Sequence, residues 1–468
     1  MPEGLDDRYV LERPNLPIPL YEGSMEIVAE EQTVAGVGTV WFQWHPFPAV
    51  RLSIGIPKAS GADSQEFPDP FMFNELRLQE RNGKTPFRVS RILRNQVFAD
   101  HHVVDVIEGH VSGTLEIGNP APTEKVIFHI PNFPFFTGGR PLDDGATSEE
   151  EFEARNRPGP FVGSIAELRI QIDPVPNSSD LTTGLSLVGG YAITHIATVS
   201  RLDSEPVAYE QVARIEEILQ WWLSLLRSER TAAMLSVGVH GDEVVWERWG
   251  AANVSPWVRQ RSWLPGPLAL SMAGNTGTVL PGGVAPVSLS DTQVLLRNLA
   301  SALGDAERRD AMLNVLDWYT QSVSSGHLAT VVLLAQAGLE LTSWLRLRDI
   351  GVSEDGFEKL TAEDQVRLAL KDASIPFEVP FYLAILGTAT GNPPRQPALD
   401  GPAAITQIRN NAVHPRKDDR LSASEVVAEG SQLAVWYLEL LILYYLGYEG
   451  QIRMRGSIFP APAPWAAS

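Results

Sequence analysis

The chain of 468 residues contains no cysteine. That absence removes disulfides, thiolate nucleophiles, zinc ribbons and iron–sulfur clusters, and it fits a reducing compartment. Lysine is almost as scarce: 6 Lys stand beside 31 Arg. The first ten residues, MPEGLDDRYV, hold no apolar core of a signal peptide. The most apolar stretch, 434–448, is interrupted by Glu439 and reads as a buried helix rather than a membrane span. These features lead us to expect a cytoplasmic protein that does not use a membrane. No internal repeat and no low-complexity tract is present.

What is abundant is acid. Asp and Glu number 57 against 37 Lys and Arg, a formal net charge of −20. Such a chain does not coat nucleic acid by bulk electrostatics, which needs many cationic contacts to phosphate. The excess is uneven. Residues 301–468 carry 14 basic and 20 acidic side chains, net −6, which leaves −14 on the first 300. With 44% hydrophobic and 20% charged residues the chain is globular, and its length calls for more than one domain.

The first 200 residues read as β structure. Val40, Phe42 and Trp44 alternate with Trp41, Gln43 and His45, and the runs at 125–131 and 165–173 are short, β-branched and bounded by turn residues. A sandwich-like fold is the economical expectation. The acidic segment 141–160 reads as a solvated loop. Beyond residue 205 the pattern changes. Val212, Ile215, Leu219, Trp222 and Leu226 share one helical face, and 235–249 reads as a strand pair turning near Gly241 and Asp242. Residues 251–290 hold five Gly and five Pro, the mark of an irregular connection. Helices are then expected near 291–303, 306–322, 327–348, 361–372, 378–388, 401–414 and 422–447, the last with a Ser422-x-x-Glu425 capping box. The expected organisation is therefore multidomain α+β. A β-sandwich-like domain spans 1–205, an α+β connector 206–290, and an all-α bundle 291–458.

Several familiar sites are near-misses. Gly83-Lys84-Thr85 resembles the end of a phosphate-binding loop, but Leu78 stands where that motif needs Gly. Gly184 to Gly189 misses the nucleophile-elbow spacing by one residue. His101, His102, Asp105 and His110 offer metal-ligand types, yet strand alternation puts His101 and Asp105 opposite His102. No metal or cofactor is expected.

The segment that carries chemistry is 405–420, with Arg409-Asn410-Asn411-Ala412-Val413-His414-Pro415 at its centre. Pro415 disfavours helical geometry at His414, so a helix ends there. The negative end of a helix dipole favours a cationic imidazole, and Arg409 supplies a fixed cation one and a half turns earlier. Arg416, Lys417 and Arg420 add positive charge just beyond. Histidine with arginine and no metal suffices for transesterification of RNA: the imidazole moves protons, and the guanidinium stabilises charge on the phosphorane oxygens. Arg separated from a following His by four to six residues occurs twice, about what this composition gives by chance. The other copy, Arg94 to His101, lies in the β-rich part. Only the second copy sits at a proline-terminated helix end.

The RNNAVH segment resembles the Arg-x4-6-His signature of the HEPN superfamily, in which a polar residue follows the arginine. The helical order from about 310 to 456 also resembles the C-terminal HEPN domain of ApeA-like antiphage defence proteins, and 190–203 resembles their N-terminal part. That resemblance implies a metal-independent endoribonuclease, dimeric through its HEPN domain, whose β domain senses a phage-derived trigger or restrains the nuclease. It implies catalytic roles for Arg409 and His414, an orienting role for Asn410, a supporting acid at Glu340, and RNA contacts by Arg416, Lys417 and Arg420. The competing expectation is a non-catalytic interaction protein with a ligand-binding β-sandwich and a helical dimerisation domain. Carbohydrate binding by the Trp-rich β part is weaker, because the 12 Trp are spread along the chain and suit core packing.

Overall fold

The computed structural model describes residues 9–28, 33–57, 72–73, 75–78, 82–83, 87–99, 102–133, 161–257, 289–391, 398–414, 421–453 and 460–466. His101, the 141–160 loop, most of the 251–290 connection, and Arg416, Lys417 and Arg420 lie outside them. The chain divides into two compact units. One holds 1–220 and 231–259; the other holds 221–230 and 260–468.

In the first unit the described strands are β1 (Ile18–Val28), β2 (Thr33–Gln43), β3 (Ala49–Pro57), β4 (Met72–Phe73), β5 (Glu75–Leu78), β6 (Asn82–Gly83), β7 (Phe87–Ala99) and β8 (His102–Ser112). They continue with β9 (Thr114–Gly118), β10 (Lys125–Pro131), β11 (Phe161–Ile165), β12 (Leu168–Pro174), β13 (Ile193–Arg201), β14 (Met234–His240) and β15 (Glu243–Gly250). All join in one hydrogen-bonded order, β11-β12-β13-β10-β14-β15-β9-β6-β5-β1-β2-β3-β8-β7-β4, through antiparallel pairings. The alternation in β2 has its expected result: Val40, Phe42 and Trp44 are buried, whereas His45 is exposed. The run 165–173 is mostly the single strand β12, with Ile165 ending β11 before it. The chain turns at Ala166, whose φ of 47° lies in the left-handed region.

Helix α1 (Ser178–Val188) buries Leu181 and Leu185 in the core of this unit. The Gly184–Gly189 near-miss is the end of that helix, where Gly189 (φ 69°) caps it by donating its N–H to Leu185 O at 2.8 Å. Helix α2 (Tyr209–Arg227) buries its whole stripe, Val212, Ile215, Leu219, Trp222 and Leu226. Within the segment expected to be an α+β connector packed on the N-terminal domain, the expected strand pair joins the sheet. Strands β14 and β15 are central members of the sheet, paired with β10 and β9. Their cross-strand pair Gly238 and Trp246 shows why Gly is needed: a Cβ at 238 would lie 2.1 Å from the indole.

The second unit is helical. It contains α3 (Leu289–Gly304), α4 (Ala306–Ser324), α5 (Leu328–Asp349), the short α6 (Glu354–Glu358), α7 (Ala362–Asp372), α8 (Ala384–Thr390), α9 (Gly401–Val413) and α10 (Ser424–Tyr445). A small ribbon of β16 (Gln451–Arg453) and β17 (Pro460–Pro462) follows. The expected capping box at Ser422 and Glu425 does not form. The N-cap is Ala423, one residue later, and it makes no side-chain cap bond, so Ser422 lies upstream of the position that faces the free N–H groups.

Helices α5 and α10 are long and apolar enough, by length and composition, to cross a membrane, and α10 is mostly buried inside its unit. Its centre carries Glu439, which is 1% exposed. Tyr319 Oη donates to its Oε1 at 2.5 Å, and Ser228 Oγ donates to the same oxygen at 3.5 Å. At two places backbone nearly touches side chain. A Cβ at Gly338 of α5 would meet Leu438 of α10 at 2.7 Å, and one at Gly430 of α10 would meet Ile408 of α9 at 2.3 Å. These glycines let the three helices pack closely.

Candidate functional site

Helix α9 starts firmly. Asp400 caps it by accepting from Ala403 N at 3.0 Å, and Pro402 occupies the first turn, where its missing N–H costs nothing. From α7, Arg367 grips the same carboxylate with two bonds, Nε to Oδ2 at 2.7 Å and Nη2 to Oδ1 at 3.1 Å. Ala404, Ile405 and Ile408 anchor the buried face.

The helix ends where Pro415 requires. His414 is the C-cap, its backbone N–H still donating to Asn410 O at 2.8 Å. Here the two faces part. Asn410 and His414 are exposed, and Arg409 is half-buried. Arg409 Nη1 donates to Asn410 Oδ1 at 3.1 Å. Among the described residues the guanidinium has no carboxylate partner, unlike Arg346 and Arg367, which are bound by Asp372 and Asp400. An unneutralised guanidinium held by a neutral amide is suited to bind an anion, and the exposed imidazole stands five residues further on, at the end of the helix.

Glu340 lies one turn along α5 from Gln336, whose Nε2 donates to Glu340 Oε1 at 3.0 Å and to Thr406 Oγ1 of α9 at 3.4 Å. Gln336 is buried, and it is the described side chain that ties Glu340 to α9. Glu340 forms no ion pair with Arg409. Pairings along the helices explain the separation. Leu328 meets Ser431, Gly338 meets Leu438 and Arg346 meets Tyr444, so α5 and α10 run parallel. Ile408 meets Gly430 while Gly401 meets Tyr437, so α9 runs against both. From the Gln336–Thr406 contact, Glu340 therefore lies toward the start of α9 and Arg409 toward its end.

Sequence reasoning singled out Arg409, Asn410 and His414 but missed Gln336, Thr406, Arg367 and Asp400. The Asp400-Gly401-Pro402 run is a readable helix start. The i, i+4 pairing of Gln336 with Glu340 was also open to reading. The Arg367–Asp400 clamp joins distant segments and leaves no local signal. Of the alternative metal-ligand set, His110 is buried and stacks on Phe47, with ring centroids 4.9 Å apart. Among the described residues no group of three or more His, Asp or Glu side chains forms a metal-binding cluster.

The architecture defines a class, an antiparallel β-rich unit followed by a helical unit. Comparison with known proteins adds particulars. Residues 305–460 match the family model described as the YopA C-terminal domain, and 118–260 match the YopA central domain. The chain is similar to the SPbeta prophage-derived uncharacterized protein YopA of Bacillus subtilis (strain 168), 27% identical over 270 residues. The alignment covers 56% of this chain and 54% of that relative, so it spans about half the length of the curated protein it matches. No solved structure matches.

Proposed function

We propose that the helical unit is a HEPN-type, metal-independent endoribonuclease acting in abortive-infection defence in the cytoplasm. In this reading it works as a homodimer, and a β-sandwich-like N-terminal domain senses a phage-derived trigger or restrains the nuclease. The observation that carries the reading is the end of α9: an exposed His414 and an Arg409 held by Asn410 without a neutralising carboxylate. The 2′-hydroxyl of RNA attacks the adjacent phosphorus, Arg409 stabilises charge on the non-bridging oxygens, and the 5′-oxygen leaves as it gains a proton. The products are a 2′,3′-cyclic phosphate and a 5′-hydroxyl. Asn410 keeps the guanidinium oriented, Glu340 supports the site through Gln336, and Arg416, Lys417 and Arg420 contact the RNA backbone. That the YopA relative is prophage-derived fits a role in conflict between phage and host.

The test is cleavage of RNA in excess chelator. Arg409→Ala and His414→Ala should each lose about 100-fold or more in rate. Replacing the nucleotide 5′ to the cut by its 2′-deoxy form should abolish cleavage there, because the nucleophile is gone. Cleavage at wild-type rate by both variants, or a strict need for a divalent metal, overturns the assignment. The runner-up reading, a non-catalytic interaction protein, draws on the net charge of −20, and it is favoured if the wild type leaves RNA intact.

A further inference from the structure

Transesterification moves two protons, one off the attacking 2′-hydroxyl and one onto the leaving 5′-oxygen. Within one chain, the end of α9 offers a single imidazole. A second histidine stands at the same end of the helical unit. His327 is the N-cap residue of α5, exposed, with extended backbone (φ −107°, ψ 110°) and no side-chain cap bond. Its Nδ1 lies 3.3 Å from Thr330 Oγ1. With the proton on Nδ1, the ring donates to Thr330 and presents a bare Nε2 to solvent.

Its level along the bundle follows from the helix directions. Helices α5 and α9 run antiparallel and touch at Gln336 and Thr406. Back from Gln336 to His327 is about 13 Å of helix rise, and forward from Thr406 to His414 is about 12 Å. The Ser431–Leu328 and Gly430–Ile408 contacts, both near the start of α10, set Leu328 level with Ile408, about 9 Å of helix rise before His414. His327 thus lies within two turns of the end of α9, on the neighbouring helix.

We infer that His327 is a catalytic residue of the Arg409–His414 site, the base that accepts the 2′-hydroxyl proton while His414 gives a proton to the leaving 5′-oxygen. The balance closes. Nε2 of His327 gains the proton, the 2′-oxygen bonds to phosphorus, the P–O5′ bond breaks, and the 5′-oxygen takes the His414 proton. Exchange with water then resets both rings. This rests on the ribonuclease reading, and its substrate is single-stranded RNA with a free 2′-hydroxyl.

The experiment compares wild type, His327→Asn and His414→Ala on two RNA substrates. One is ordinary RNA, and the other carries sulfur in place of the bridging 5′-oxygen at the cut. A thiolate leaves without an acid, so loss of the acid is rescued by sulfur and loss of the base is not. Asn is a preferred N-cap residue and preserves the start of α5, and thermal unfolding checks the fold of each variant. We expect His414→Ala to lose about 100-fold on ordinary RNA and recover on the sulfur substrate. We expect His327→Asn to lose about 100-fold on both. If His327→Asn cleaves at the wild-type rate while His414→Ala does not, His327 has no catalytic part and the ribonuclease reading stands. Recovery of His327→Asn on sulfur overturns its role as base. A wild type that cleaves neither substrate sinks the ribonuclease reading itself.

Discussion

His195 sits on β13 with its ring against Phe133 and its Nε2 buried without a partner. Burial lowers its pKa to about 3, because a charged imidazole there would lose its hydration. In the unfolded chain it protonates near the ordinary value of 6.5. Between those limits the unfolded state binds the extra proton, so stability falls as pH drops from about 6.5 toward 3 and falls no further below that. His195→Gln should flatten this slope, recovering up to ~3 kcal/mol at pH 4 relative to its own value at pH 7, as read by denaturant unfolding at both pH values. An unchanged slope would mean that other groups set the acid limit. At this scale the sequence was half legible. Arg409 and His414 declare themselves by type, spacing and the proline after them. His195 and Gln336 do not, because burial and a partner seventy residues away have no local signature.

Among elements, helices were the most readable, since period and caps are local properties. Seven expected helices have counterparts in α3–α5 and α7–α10. The short α6 was not foreseen, being too brief for a period to show. Sheet membership was harder. The turn at Gly241 could be read, but the pairing of β14 with β10 joins segments a hundred residues apart. Two substitutions test what holds these elements. Gly238→Ala must displace the Trp246 indole, which donates to Ala121 O at 3.0 Å, and should cost ~1–3 kcal/mol in a denaturant titration. Asp400→Ala removes both the α9 cap and the anchor of Arg367, and should cost ~1–2 kcal/mol of stability. Because Asp400 touches no substrate, RNA cleavage by this variant should fall far less than by His414→Ala.

For the whole molecule the governing quantity is charge. A surface of net −20 repels RNA, so binding depends on a few local cations rather than a basic face. The salt dependence should accordingly be shallow. For single-stranded RNA on the slowly cleaving His414→Ala variant, log Kd against log salt should have a slope of magnitude below about 3, at ~0.7 per phosphate neutralised. A slope of 6 or more, by fluorescence anisotropy, would reveal an extended basic track and refute the small-pocket picture.

The lone carboxylate in the middle of α10 has a consequence for assembly. A helix that is apolar on nearly every side can slide or rotate among its neighbours with little change in buried area. Glu439 removes that freedom. Only one axial and rotational setting gives its oxygen the hydroxyls of Tyr319 and Ser228, and any other strands a carboxylate in a dry interior. Gly430, the seat of Ile408, lies on the same rigid rod. A polar contact far from the chemistry thereby acts as an indexing pin, setting where the end of α9 comes to rest.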